Sequence, residues 1–81
     1  MSSVIEFAHK YEQEKAKVFN ALRSCKTLEQ IETAKRFFGA LKQRWSYTAR
    51  VNKTINLLIE VDEFKFNKDI DLLSIRLAQV N

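Results

Sequence analysis

The sequence contains no proline and only one glycine, Gly39, in 81 residues. These two residue types form most of the tight turns between strands, so their scarcity argues against a sheet-rich fold and favours helices with short polar connections. The single cysteine, Cys25, cannot form an internal disulfide, and no charged-then-apolar leader opens the chain. We therefore expect an intracellular, cytoplasmic protein.

The sequence also lacks the motifs of common catalytic and metal sites. There is no glycine-rich phosphate loop, no pair of cysteines and no second histidine besides His9. The carboxylates are spaced as helix caps or surface partners, and no nucleophilic triad is present. No apolar run is long enough to span a bilayer. We therefore predict a protein that is not an enzyme, has no metal and no cofactor, and does not insert into a membrane.

The composition indicates a folded chain. Hydrophobic residues make up 46% of the sequence and include six phenylalanines, so the chain can bury enough apolar surface to offset its conformational entropy. Eighty-one residues form one domain of a size at which a single core is only marginally stable. We predict one helical domain over residues 1–81.

The sequence is organised around residues 28–62, which carry the pattern of one long amphipathic helix. Apolar or small residues recur there in alternating steps of four and three, the spacing that keeps one stripe against a neighbouring helix. The stripe consists of Ala34, Phe38, Leu41, Trp45, Thr48, Asn52, Ile55, Ile59 and Asp62. No glycine or proline interrupts residues 46–54, so we favour a continuous helix, although the polar and β-branched residues there also permit a kink near Asn52.

A shorter helix precedes this segment, over about residues 4–24. Its apolar line is interrupted by Lys15. We expect the methylene groups of Lys15 to pack along the contact between the helices while its ammonium group stays in water. Thr27-Leu28-Glu29-Gln30 has the form of a capping box and starts the next helix. Because the connection is only about three residues long, the two helices should form an antiparallel hairpin.

Residues 61–67 lose the helical period, and Asn67 is a good N-cap for a third helix over about residues 68–80. The alternation of apolar and polar residues around Asp62 and Glu63 also permits a short β-hairpin. We predict an all-α fold: an antiparallel helical hairpin with a long central helix and a short third C-terminal helix.

In this arrangement the central helix would be only partly covered. Trp45 and one of Phe37 and Phe38 would be exposed, which predicts a homo-oligomer or a protein partner on the stripe. The predicted interface consists of Phe38, Leu41, Trp45, Thr48 and Asn52.

Charge is concentrated in the middle of the chain. Residues 33–53 carry six basic and no acidic side chains, whereas residues 54–71 carry two basic and five acidic ones. On a continuous helix the basic residues form one face, which suits an acidic protein partner or, as an alternative, a nucleic acid or nucleotide; a solvated helix face is the third interpretation. The candidate binding residues are Arg36, Lys42, Gln43, Tyr47, Arg50 and Lys53.

Residues 24–37, Ser-Cys-Lys-Thr-Leu-Glu-Gln-Ile-Glu-Thr-Ala-Lys-Arg-Phe, contain a Cys-x-Thr-x-Glu-Gln turn that opens a helix. This segment resembles stretches in short helical accessory proteins of tailed bacteriophages. The resemblance implies a viral protein in the host cytoplasm that acts by binding, as an inhibitor of a host enzyme, a counter-defence factor, a lysis regulator or a minor assembly protein. The predicted function is therefore a small non-enzymatic binding protein that acts through its long central helix.

Overall fold

The computed structural model describes residues 2–79, and the side chains of residues 5–79. Within this part of the chain there are four helices: α1 (Ser2–Arg23), α2 (Leu28–Arg44), α3 (Ser46–Val51) and α4 (Lys53–Gln79). No strand occurs in residues 2–79. The all-α prediction is confirmed, and the alternative of a β-hairpin around Asp62 and Glu63 is wrong.

α2 runs antiparallel to α1. The Phe19 ring lies edge-on to the Phe38 ring, with centroids 6.5 Å apart, and the Trp45 indole donates to Glu14 at the other end of the pair, at 2.9 Å. The connection between the helices is held by Thr27, whose hydroxyl accepts from the Gln30 backbone N–H at 3.1 Å. This N-cap was predicted from the sequence, and its hydrogen bond satisfies a backbone donor that the helix itself leaves free.

α4 packs against both of these helices and runs parallel to α1. Tyr11 contacts Asp62, and Phe19 contacts Phe66 eight residues further along α1. The resulting three-helix bundle is elongated, with principal extents of 52 × 17 × 16 Å.

The centre of the core is a cluster of three phenylalanines, one from each long helix. Phe38 and Phe66 stack with centroids 4.6 Å apart, and Phe19 stands edge-on to Phe66 at 5.3 Å. Such offset and edge-to-face pairs are worth about 0.5–1.5 kcal/mol each beyond their area burial. The other buried apolar residues are Tyr11, Val18, Leu22, Cys25, Ile31, Ala34, Leu41, Trp45, Ile55, Ile59 and Ile70.

The predicted continuous helix over residues 28–62 is not present, because it is interrupted at Trp45 and at Asn52. At the first interruption the Ser46 hydroxyl donates to the Gln43 carbonyl at 2.8 Å, a contact that competes with the backbone ladder and bends helices. At the second, Asn52 is extended (φ −134°, ψ 106°), and its side-chain oxygen accepts from the backbone N–H groups of Thr54 and Ile55 at 3.0 and 3.2 Å. The alternative of a break near Asn52 is therefore the one observed.

The predicted short third helix over residues 68–80 is also wrong. α4 has 27 residues and is the longest of the four helices in the described part of the chain, and the predicted gap at residues 61–67 lies inside it. Residues 61–67 lose the pattern of a single stripe because α4 is apolar on two opposite faces. The predicted end of that helix at Val80 lies outside the described residues.

Asn52 is expected to determine where α4 begins. Asn52→Ala removes the oxygen that accepts from two backbone donors, and we expect it to lower the free energy of unfolding by about 1 kcal/mol. Asn56→Ala is the matched control, since Asn56 is exposed within α4 and its replacement removes no cap. Urea unfolding measures both, and equal effects of the two substitutions would show that the Asn52 cap contributes nothing.

Candidate functional site

The residues predicted to form an intermolecular interface lie mainly in the core of the bundle. Phe38, Leu41 and Trp45 are each 5% exposed or less, and Thr48 and Asn52 are half-buried. The prediction that Trp45 is exposed is wrong, because α1 covers the indole and Glu14 accepts its N–H. Of the pair Phe37 and Phe38, Phe37 is exposed, as expected.

The six predicted binding residues are distributed over three helices rather than one. Arg36, Lys42 and Gln43 lie on α2, whereas the remaining three follow the break at Trp45. Tyr47 and Arg50 are on α3, and Lys53 begins α4. All of them except Lys42 are exposed. The continuous basic face that a single helix would give is therefore divided into segments.

We call residues 33–53, which carry six basic and no acidic side chains, the basic segment. Two of its lysines are already paired within the chain. Lys42 donates to Glu63 of α4 at 2.7 Å, and Lys35 donates to Glu32 one turn earlier at 2.8 Å. The pKa of Glu32 is lowered, chiefly by its hydrogen bond with Lys35. These pairs reduce the positive charge that the segment offers to a ligand. Exposed pairs of this kind add little to stability.

A buried polar cluster joins α1 to α4. Among the side chains of residues 5–79, Asp62 is the only charged one that is buried, at 4% exposure. Its carboxylate accepts from the Tyr11 hydroxyl at 2.8 Å and from Lys15 Nζ at 3.4 Å. Lys15 also donates to Glu12 at 2.8 Å. Lys15 is thus a partner of Asp62, and its predicted role as a seam lysine whose ammonium reaches only water is incomplete.

The cluster raises the pKa of Tyr11 and of Lys15. Burial raises the pKa of Tyr11, and the hydrogen bond and negative charge of Asp62 raise it further. Burial lowers the pKa of Lys15, but the hydrogen bond to Glu12 and the charges of Asp62 and Glu12 together outweigh that effect, so its pKa is raised. The neutral tyrosine and the charged lysine are therefore the forms that the fold stabilises. This arrangement offers no free nucleophile or base and is suited to holding two helices together.

A shallow groove of about 350 Å³ is lined by residues of α1 and α2. Its floor includes Val18 and Ala40, and the exposed ring of Phe37 forms one wall. Glu14 and Arg44, whose charged atoms are 3.6 Å apart, stand at the rim.

A row of exposed apolar side chains lies on α4. Five side chains that are 50–71% exposed fall within an arc of about 80° on the helix, at 100° per residue. We call this set the outer stripe: Leu57, Val61, Phe64, Leu72 and Ile75. It extends for about 27 Å along the helix, and Lys68 is the residue that interrupts it. The buried residues of α4 occupy the opposite arc.

The outer stripe was not predicted from the sequence, although its spacing is visible there. The steps from Leu57 to Val61 and from Val61 to Phe64 are four and three, and from Leu72 to Ile75 the step is three. The pattern is recognised only if residues 53–79 are taken as one helix with two apolar faces. The prediction of a helix end at residues 61–67 divided the outer stripe between two helices.

Comparisons of the chain with known protein families, with curated proteins and with solved structures find no match. None of the helices in the described residues is both long enough and apolar enough to cross a membrane. Within the same residues, no group of three or more histidine, cysteine, aspartate or glutamate side chains is placed to hold a metal ion.

The Tyr11–Asp62 hydrogen bond is expected to make stability depend on pH in the alkaline range. Tyrosine in the unfolded chain ionises with a pKa of 10.0, and Tyr11 in the fold keeps its proton to higher pH. As the pH rises, Tyr11 therefore loses its proton in the unfolded chain before it does so in the folded chain. By pH 11 this lowers the free energy of unfolding by about 1.4 kcal/mol. This stability is fully present below pH 10 and is lost above it. Tyr11→Phe should lack this loss, while costing about 1–3 kcal/mol at neutral pH.

Urea unfolding of the wild-type chain and of Tyr11→Phe, at about pH 9 and about pH 11, measures the difference. Lys15 is present in both chains, so its own titration cancels. Equal losses in both chains between the two pH values would contradict the assignment to Tyr11.

Proposed function

We propose that the chain is a small non-enzymatic protein-binding module and that its contact surface is the outer stripe of α4. The observation that supports this is a long apolar surface on the side of α4 that faces away from the bundle. The sequence suggested the same class of function for the central helix, but the apolar residues proposed for that interface are occupied within the core. The proposal therefore moves the binding surface to α4.

The size of the outer stripe favours this proposal. At roughly 150–200 Å² for a whole side chain, the exposed fractions of its five members amount to on the order of 500 Å². This area lies in two apolar patches on either side of Lys68, and exposed apolar area of this order on a small protein is commonly part of an interaction site. Phe64, the largest member, is 71% exposed, and aromatic residues are enriched in the buried cores of protein–protein interfaces.

The bundle does not need the outer stripe for its own stability. The inner face of α4 contributes Ile55, Ile59, Phe66 and Ile70 to the core, and the cluster around Asp62 is complete without any residue of the stripe. Apolar side chains that stay at least half exposed lower solubility, so a binding role gives a physical reason for their presence.

The charges beside the stripe favour a protein partner over a membrane surface. Glu60 and Asp71 lie along one edge, and Lys65 and Arg76 lie along the other. A helix that binds anionic lipid carries mainly lysine and arginine beside its apolar face. Mixed signs are typical of the polar rim of a protein–protein interface.

The proposal is tested by capture from an extract of the cells that make the protein, with three immobilised chains: wild type, Phe64→Glu and Phe37→Glu. Phe37 is also exposed, but it lies in the groove between α1 and α2. We expect a partner that is retained by wild type and Phe37→Glu and is reduced at least about tenfold with Phe64→Glu, a loss of about 1.4 kcal/mol or more. Equal retention by all three chains would contradict the proposal.

Binding of a nucleic acid or nucleotide by the basic segment is a second candidate function. Arg36, Tyr47 and Arg50 are exposed, which favours this candidate. An arginine can donate two hydrogen bonds to one phosphate, and a tyrosine ring can stack on a base. The resemblance of residues 24–37 to phage accessory proteins is compatible with either candidate, since it implies a small protein that acts by binding.

The second candidate predicts salt-dependent retention on an immobilised polyanion. Arg36→Ala with Arg50→Ala is expected to elute at lower salt than the control Lys10→Ala with Lys26→Ala, which removes the same charge from exposed positions elsewhere. A specific site loses affinity when its own arginines are removed, whereas a diffuse attraction depends only on net charge. Identical elution of the two variants would rule out a localised site.

A further inference from the structure

We infer that α4 can exchange between two copies of this chain. In the exchanged dimer the turn at Asn52 straightens, so that α2, α3 and α4 join into one helix, and the inner face of each α4 packs on α1 and α2 of the other copy. This inference does not rest on the proposed function, because it uses the inner face of α4 and leaves the outer stripe exposed.

The buried faces of α2 and α4 are in phase with each other through the turn. Buried residues recur in steps of three and four up to Trp45 and again from Ile55, and the ten positions between these two divide at Thr48 and Asn52 as three, four and three. One continuous helix requires this phase, whereas a turn between two separate helices does not. The full series is Ile31, Ala34, Phe38, Leu41, Trp45, Thr48, Asn52, Ile55, Ile59, Asp62, Phe66 and Ile70.

The turn departs little from a helix. At Trp45 the backbone ladder continues, since Trp45 N–H donates to the Leu41 carbonyl at 3.1 Å and Ala49 N–H donates to the Trp45 carbonyl at 2.9 Å. Residues 46–51 are helical, and residues 46–54 contain no glycine or proline. A change of backbone angles at Asn52 is therefore the main step that joins α3 to α4.

The register of α4 on α2 fits such a dimer. Phe38 stacks on Phe66, and Lys42 pairs with Glu63. The midpoint of each pair lies within half a residue of position 52. In a two-fold dimer residue i contacts residue j of the partner and j contacts i, so the same pairs formed between copies place the axis at Asn52. The long helices then cross at the point that straightens.

The residues at this crossing are compatible with a second copy. Asn52 of each chain lies at the axis, where the two amides can donate to and accept from each other. On a continuous helix Arg50 lies about 160° and Lys53 about 100° from Asn52, so these charges are directed away from the crossing. Arg44 remains beside Glu14 of its own chain.

Exchange keeps the contacts that hold α4 in the bundle. Tyr11 would donate to Asp62 of the second copy, and Phe19 would contact Phe66 of the second copy, as they do within one chain. Such exchange is a low-cost route to a dimer. The closed chain is favoured in dilute solution, because a short connection gives α4 an effective concentration in the millimolar range.

Refolding from urea at about 10 μM and at about 1 mM tests the exchange. After dilution, size-exclusion chromatography with light scattering should show a dimer from the concentrated sample alone. Asn52→Ala removes the cap and favours a continuous helix, so it should raise the ratio of dimer to monomer at least about tenfold. Asn56→Ala is the control and should behave as wild type. Absence of a dimer from both wild type and Asn52→Ala would overturn the inference.

Lys53→Pro should have the opposite effect. Lys53 is the first residue of α4, a position that suits proline, and Asn52 before it is extended, as the residue before a proline prefers. Inside a continuous helix the same proline removes a hydrogen bond and clashes with the preceding turn. We expect a folded monomer by circular dichroism and at least about tenfold less dimer. As much dimer as wild type would contradict a straightened turn.

Thiol cross-linking distinguishes exchange from other dimers. Chains with Cys25→Ser carry either Lys42→Cys or Glu63→Cys, two positions that lie together in the bundle. Refolded together at about 1 mM and then diluted, they should give a two-chain product with a short bis-maleimide. The same chains refolded separately and mixed after dilution should give none. A dimer that yields no such product would overturn the exchange of α4.

Phe64→Glu separates this inference from the proposed function. Phe64 belongs to the outer stripe and is exposed, so Phe64→Glu should exchange as wild type does. Loss of the dimer with Phe64→Glu would assign that dimer to the outer stripe and overturn the exchange. Failure of the capture experiment would leave the refolding and cross-linking results unaffected.

Discussion

Among the side chains of residues 5–79, the carboxylate of Asp62 is the one charge that the fold buries, and it helps to set the orientation of α4 on α1. An ionised carboxylate costs several kcal/mol to remove from water unless donors replace its hydration. The Tyr11 hydroxyl and the Lys15 ammonium of α1 are these donors. If α4 slid by one turn or rotated by one residue, Asp62 would lose both. The pairing therefore favours a single register of α4 on α1, a specificity role that buried polar groups have in some helical assemblies.

This register has a consequence for the rest of α4. With Asp62 and Phe66 directed into the bundle, Val61 and Phe64 are directed away from it. The helix has apolar residues on both sides, and only one side can be covered by α1 and α2. The fold thus completes its own core while it leaves a second apolar surface available. The proposed binding function depends on this division of one helix into an inner and an outer face.

The sequence predicted those parts of the fold that are determined locally. The cap at Thr27 and the helices on either side of it follow from side chains within a few residues of each other. The continuity of α4 through Val61 depends on distant contacts, and so does the choice at Asn52 between a continuous helix and a break, although the cap that completes the break is local. A polar residue on an apolar stripe can lie in a seam or end a helix, and the turn at Asn52 is selected because it lets α4 pack back onto α1 and α2. The role of Lys15 could not be predicted either, because its partner lies 47 residues away.

The most direct test measures whether α4 has one buried and one exposed face across residues 59–66. Single cysteines are introduced into a Cys25→Ser chain at Val61 and Phe64, and at Ile59 and Phe66. Their reaction rates with a thiol reagent are measured at a concentration too low for copies to associate. The account predicts that the first two positions react at least about tenfold faster than the last two. Equal rates at all four positions would contradict a continuous helix with two different faces.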